Sequence, residues 1–203
     1  MSDLVVGRRR LMSGAIGLAV AASMPGWARA GITIDQVAFD PDIPALGNPY
    51  GNVTIVEFVD YQCPICKLCF QELRKLLTED DNVRLVMKDW PIFGEASRDA
   101  ASLTLAAGQN YGAVVAALME NQHQLSSRRT DAIVASAGMD AGTLRQAAEG
   151  KRGLIGAVLA RNDAQATDFQ LRGTPALVVG GTLYKRGLPL AELKDAVAKA
   201  RAT

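Results

Sequence analysis

Residues 53–70, "VTIVEFVDYQCPICKLCF", change periodicity within one stretch, and that change decides how the chain folds. Val53 to Tyr61 is β-branched and aromatic, almost continuously apolar, and preceded by Gly51-Asn52, the pattern of a buried central strand. From Cys63 onward, Cys66, Phe70, Leu73 and Leu77 recur at helical spacing with Leu76 beside them, which predicts a helix running to about Glu79. Pro64 suits the first turn of that helix and makes Cys63 its N-terminal cap. The strand therefore delivers a cysteine to a helix start.

Working outward, "NVRLVMKDWPIF" supplies a second strand, Val83 to Lys88, and a strand-helix-strand order implies parallel pairing through a right-handed crossover. Ser97 to about Asp168 reads as helical throughout, with Gly108, Gly112, Gly138, Gly142 and Gly150 marking breaks between short helices. "RGTPALVVGGTLYKRG" predicts two strands, Ala176 to Val179 and Thr182 to Tyr184, joined at Gly180-Gly181, and an amphipathic helix from Leu190 to Arg201 closes the chain. Upstream, "GITIDQVAFDPDIPALGNPYGN" has little lasting period and is expected to be an extended arm with turns. The fold class is α/β, with a helical insertion over about 95–168 between a β-α-β half and a β-β-α half. There is no internal repeat.

A chain of 203 residues that is 49% hydrophobic supports one compact unit. Four arginines and Asp3 lie in the first thirty residues, so the 22 basic and 21 acidic residues of the whole become 18 and 20 beyond them, a net of −2. That balance argues against a nucleic-acid partner. The leading stretch "GRRRLMSGAIGLAVAASMPGWARA" has a basic cluster, an apolar run from Leu11 to Met24, and Ala28-Arg29-Ala30 in the form of a cleavage site. We expect residues 1–30 to be a cleavable export signal, with the mature chain starting near Gly31. Arg8-Arg9 followed by Arg10, Leu11 and Met12 resembles a twin-arginine signal, with Sec export as the alternative. The expected location is the periplasm, where a close cysteine pair is bridged or redox active.

All three cysteines, Cys63, Cys66 and Cys69, fall at three-residue intervals. A thiol at a helix N-terminus faces unsatisfied N–H groups and the positive end of the helix dipole, so Cys63 is expected to be the reactive one. Cys66, one turn in, is placed to attack a mixed disulfide on Cys63. A purely structural bridge is the weaker reading, because so small a loop constrains the unfolded chain little. Zinc or an iron-sulfur cluster would need a fourth ligand. The sole histidine, His123, is expected to be a partly exposed helical residue. Cys69 reads as an apolar packing residue, with exchange against Cys66 as its rival role.

"VEFVDYQCPICK" together with "RGTPALVV" resembles the DsbA-like thiol-disulfide oxidoreductases, a branch of the thioredoxin fold, over essentially residues 45–200. The resemblance implies a thioredoxin fold with a helical insertion, Cys63 as surface nucleophile, Cys66 as resolving thiol, and Pro175 as a cis-proline facing them. Thr174, Pro64 and Ile65 would border the client-binding surface. Glu57 falls where the family has a buried acid serving the resolving cysteine, with Lys88 on the next strand as its charge partner. The expected activity is oxidation of unfolded exported proteins by a Cys63-Cys66 disulfide, without other cofactor or metal, in a monomer reoxidised by a DsbB-like membrane protein. A reductase or isomerase served by a DsbD-like protein is the alternative within the class, and a metallochaperone using Cys63, Cys66 and Cys69 the alternative outside it. Ile65 departs from the histidine common at that position, and isoleucine offers neither charge nor hydrogen bond to the Cys63 thiolate. A less strongly oxidising protein than a histidine-bearing relative is expected.

Overall fold

The β-branched run folds as β2 (Val53–Val59), the helical period as α2 (Pro64–Glu79), and the following apolar run as β3 (Val83–Asp89). These belong to a computed structural model that describes residues 33–202. The expected export signal over 1–30 lies outside the described residues. β2 and β3 pair in parallel, from Val53 opposite Val83 to Val59 opposite Asp89. On the other side of β2, β4 (Ala176–Val179) runs antiparallel and leads into β5 (Thr182–Tyr184). Gly180 and Gly181 join these two strands at φ 50° and 104°, the left-handed backbone that a tight hairpin turn requires. β2 is therefore central, and all but one of its residues is buried.

Between the halves lie α3 (Glu95–Ala106), a 3-10 turn (Gly108–Asn110), α4 (Tyr111–Glu120), α5 (Ser127–Ser136), α6 (Ala141–Gly150) and α7 (Arg152–Asp168), and α8 (Leu190–Arg201) ends the chain. Gly108, Gly138 and Gly150 mark helix breaks as the sequence suggested, whereas Gly112 and Gly142 lie inside α4 and α6. At Gly112 a side chain would come within 3.2 Å of Leu46, so that glycine serves packing and not a break.

The arm is more structured than expected. Thr33 and Gln36 form a reciprocal capping box at the start of α1 (Ile34–Ala38), and β1 (Ala45–Gly47) adds antiparallel to β3. The sheet order is β1-β3-β2-β4-β5. α2 packs with α8, α1 contacts β2, and α7 contacts β3.

Register decides what each face of the sheet holds. Glu57 lies opposite Met87, and Phe58 opposite Lys88. Side chains alternate along a strand, so Glu57 and Lys88 point to opposite faces. Phe58 meets Trp90 and Phe169 edge-on at 6.5 and 6.1 Å, and Lys88 shares that face with the end of α7. The expected pairing of Glu57 with Lys88 is thus corrected: Lys88 Nζ lies 2.7 Å from Asp40 Oδ2.

Candidate active site

α2 begins as the sequence predicted. Cys63 is its cap, in extended conformation at φ −72° and ψ 116°, and Pro64 occupies the first turn, where the missing N–H is no loss. The cap is itself held by its N–H, which donates to the Asp60 carbonyl at 3.0 Å. The Cys66 N–H donates to Cys63 Sγ at 3.4 Å, and the Cys63 thiol donates to the Thr174 carbonyl at 3.3 Å. That last contact joins residues 111 apart in sequence. The Thr174-Pro175 peptide is cis.

The two sulfurs sit in opposite electrostatic situations. Cys63 is pulled down to about 5, first by hydrogen bonding from the Cys66 thiol, against burial, and then by the Thr174 side chain and the N–H groups of Cys66 and Ile65. The helix-end amides that the sequence pointed to do contribute, behind the neighbouring thiol. Cys66 is fully buried, and burial pushes it far up, with its hydrogen bond to Cys63 adding to that rise. Cys63 is thus by far the readier of the two to give up its proton.

Cys63 is less open than a surface nucleophile was expected to be. Its residue is 3% exposed, because the Thr174-Pro175 segment lies across it. Beside it runs a groove of about 580 Å³ bordered by Ile65, Gly173, Thr174, Pro175 and Gly187. Gly187 is needed there, since a side chain would come within 3.2 Å of Pro175 and 3.3 Å of Cys69 Sγ. On the other flank of Cys63 a second cavity of about 370 Å³ is lined by Gln62, Pro64, Lys67, Phe93 and His123 among others. Ile65 stands 55% exposed at the groove.

Glu57 lies beneath the cysteines with 0% exposure, and neither carboxyl oxygen meets a well-placed hydrogen-bond donor. Burial, and then the Cys63 charge, raise it well above the usual carboxylate range, and the Cys69 thiol offsets only part of that. Cys69 is 4% exposed and pushed up by burial, then by Glu57. Positions three apart within a helix hold their Cβ atoms about 5–6 Å apart, beyond the roughly 3.5–4.5 Å of a disulfide, so a Cys66-Cys69 bridge would require α2 to open. Cys63 escapes that restriction because the cap residue is outside the helix. Among the described residues no group of three or more His, Cys, Asp or Glu is arranged to hold a metal. His123 is an exposed residue of the α4–α5 loop, not a helical one.

Sequence reasoning missed three groups here. The Thr174 hydroxyl is buried without a hydrogen-bond partner and lowers both Cys63 and Cys66, so it can donate to a thiolate. Gln62 accepts from the Leu125 N–H at 3.0 Å and donates to Ser97 Oγ at 3.3 Å, tying the α4–α5 loop to the residue before Cys63. Lys67 is only 7% exposed although it follows Cys66 directly. Its position in "CPICK" was the available signal.

A family model described as Thioredoxin matches residues 40–199. The chain belongs to the thioredoxin family. Within the thioredoxin family it is a DsbA-like thiol-disulfide oxidoreductase. A thioredoxin-like oxidoreductase from Silicibacter pomeroyi DSS-3 is 37% identical, with a TM-score of 0.80 over 85% of this chain and 99% of that one. The thiol-disulfide exchange protein alpha-DsbA2 from Wolbachia pipientis is 26% identical, with a TM-score of 0.76 over 81% of this thioredoxin-family chain and 90% of its own. A curated relative, the Na(+)/H(+) antiporter NhaA 1 of Salinispora arenicola (strain CNS-205), is 27% identical over 179 residues, which are 84% of this chain and 26% of the antiporter's length. The chain thus spans about a quarter of that relative. Among the described residues no helix is long and apolar enough to cross a membrane.

Proposed function

We propose that this protein oxidises exported client proteins in the periplasm, with Cys63 as the exchanging thiol and Cys66 as the resolving one. One observation carries the proposal: Cys63 is drawn down to about 5 while Cys66 is driven up. A stabilised thiolate favours the reduced pair and makes the disulfide a better oxidant.

In the oxidised protein a client thiolate attacks Cys63 Sγ. The client–Cys63 bond forms, the Cys63–Cys66 bond breaks, and Cys66 leaves with the electron pair. Glu57, kept protonated by burial, supplies the proton that Cys66 binds. A second client thiolate then attacks the client sulfur of the mixed disulfide and Cys63 departs as a thiolate. The client is oxidised and the pair reduced, and a quinone-linked membrane partner of the DsbB type must take the two electrons back. The client segment lies along the groove at Thr174-Pro175 as an added strand and displaces the Cys63–Thr174 contact. Residues 1–30 act as the export signal, and the protein works as a monomer.

Alkylation trapping of Cys63 and Cys66 in intact cells tests the direction of electron flow. A mostly oxidised pair is expected. A mostly reduced pair would replace this reading with the reductase or isomerase.

A further inference from the structure

The groove beside Cys63 carries charge of one sign. Next to the apolar side chains of Ile65 and Pro175 it is lined by Arg172, Lys185 and Arg186, all three exposed, and among the described residues no aspartate or glutamate lines it. The chain as a whole gives no reason for this, since beyond residue 30 it holds 18 basic and 20 acidic residues. On the other flank of Cys63 the second cavity is lined by Lys67 and His123, again without an acid. The acids packed close to Cys63, Glu57 and Asp60, are buried at 0% and 1% and do not face a client.

The three cations are only lightly engaged within the protein. Among the described residues the Arg172 guanidinium has no hydrogen-bond or ion-pair partner. The Lys185 ammonium donates to the Gln170 carbonyl at 3.2 Å, a neutral acceptor that leaves its charge uncompensated. Arg186 pairs with Glu192, but the two side chains are 57% and 47% exposed, and a pair so open to water is readily exchanged for another carboxylate. Glu72, in the adjoining cleft below Ile65, is taken up by Lys75 at 2.6 Å and by the Leu190 N–H at 3.0 Å. Setting Glu192 against the three cations leaves a net of +2 along the path of the client. Like charges gathered in a concave surface reinforce one another's field there.

We infer that this groove selects clients by charge: the polypeptides it takes best carry aspartate or glutamate beside the exchanging cysteine, where Arg172, Lys185 and Arg186 receive them. The inference rests on Cys63 being the exchanging thiol and on the client lying along Thr174-Pro175. Ile65 and Pro175 offer apolar contact to any segment, so discrimination falls to the cations. Complementary charge of this kind acts on the rate and orientation of encounter more than on tightness. A lysine-rich segment is correspondingly repelled, which makes the same three side chains a device for rejection as well as for capture.

The test uses three peptides that differ only in the residues flanking a single cysteine, aspartates, serines or lysines, each joined through that cysteine to pyridine-2-thiol. The Cys63 thiolate of the reduced full chain attacks the peptide sulfur. The Cys63–peptide bond forms, the peptide–pyridine disulfide breaks, and pyridine-2-thione leaves with the electron pair and a proton from water, read by its absorbance. Dividing each rate by that of 2-mercaptoethanol with the same peptide removes the effect of the flanking charges on the disulfide itself. At low salt the aspartate peptide should react about tenfold faster than the lysine peptide, with serine between them. The gap should close at about 1 M salt, where the Debye length is about 3 Å. In the triple variant Arg172→Ser, Lys185→Ser, Arg186→Ser the two charged peptides should react alike. Equal rates in wild type, a preference for lysine, or a preference that survives high salt overturns the inference and leaves the exchange reading intact. A preference undiminished in the folded triple variant does the same. A Cys63→Ser chain that releases the thione as fast as wild type defeats both readings. Should the triple variant not fold, the salt dependence of the wild-type preference decides alone.

Discussion

Lys88 and Glu57 occupy neighbouring central strands, both with 0% exposure, yet they sit on opposite faces of the sheet and in opposite electrical states. Lys88 is surrounded by charge: Asp40 takes its ammonium at 2.7 Å and a two-pronged contact from Arg161 at 2.8 and 2.7 Å, and Asp42 accepts from Arg161 at 2.9 Å. Burial alone would raise Asp40, but Arg161 and Lys88 outweigh it and hold the carboxyl below its usual value. Glu57 has no such company, and burial makes it a proton-holding acid. A buried charge that is paired ties elements together, here the arm, β3 and α7. A buried charge left unpaired moves its titration instead, and becomes available for chemistry.

The contrast can be broken most decisively at the sulfur above Glu57. Cys63→Ser should abolish thiol-disulfide exchange in an insulin-reduction or client-oxidation assay while the fold survives. Retained exchange would move the chemistry off the α2 cap. On the paired face, Lys88→Met should lower unfolding free energy by about 3 kcal/mol in denaturant melts, since it leaves Asp40 short of a partner. Exchange per folded molecule should not change, and a loss of activity without a loss of stability would erase the distinction between the faces.

Glu57→Gln probes the unpaired face. Stability should hold or rise, and the step in which Cys66 departs should slow by about 10- to 100-fold in rapid-mixing kinetics, most strongly where Glu57 would still be protonated. A subtler effect follows from Cys63 itself. Its folded value of about 5 lies below its ordinary 9.0, so the reduced form binds fewer protons than the unfolded chain in that interval. Thermal stability of reduced wild type relative to Cys63→Ser should therefore be greatest above about 9 and decline as pH falls through about 5. The oxidised protein should lack this dependence. Cys69→Ala should do least, leaving exchange within about twofold and costing about 1 kcal/mol of stability as a small core deletion.

Much of the architecture was written in local pattern. The bounds of α2, β4, β5 and α8 follow from period, proline and glycine, because each is set by neighbours in sequence. α1 carried a legible signal too, the Thr33-x-x-Gln36 capping box, though it is only five residues long. β1 gave none, since three residues have no period and are ordered by pairing with β3.

By itself the sequence determined that Cys63 caps a helix fed by a buried strand, since capping and alternation are properties of consecutive residues. Tertiary structure alone decided what meets that cap. Parallel register turned Lys88 away from Glu57 toward Asp40, and chain reversal through β4 laid Thr174 across the thiol. Burial then set the two sulfurs and the acid beneath them apart in proton affinity. The physical reason is range: backbone preference acts over a few residues, whereas desolvation and charge act through space between segments that only the finished sheet brings together.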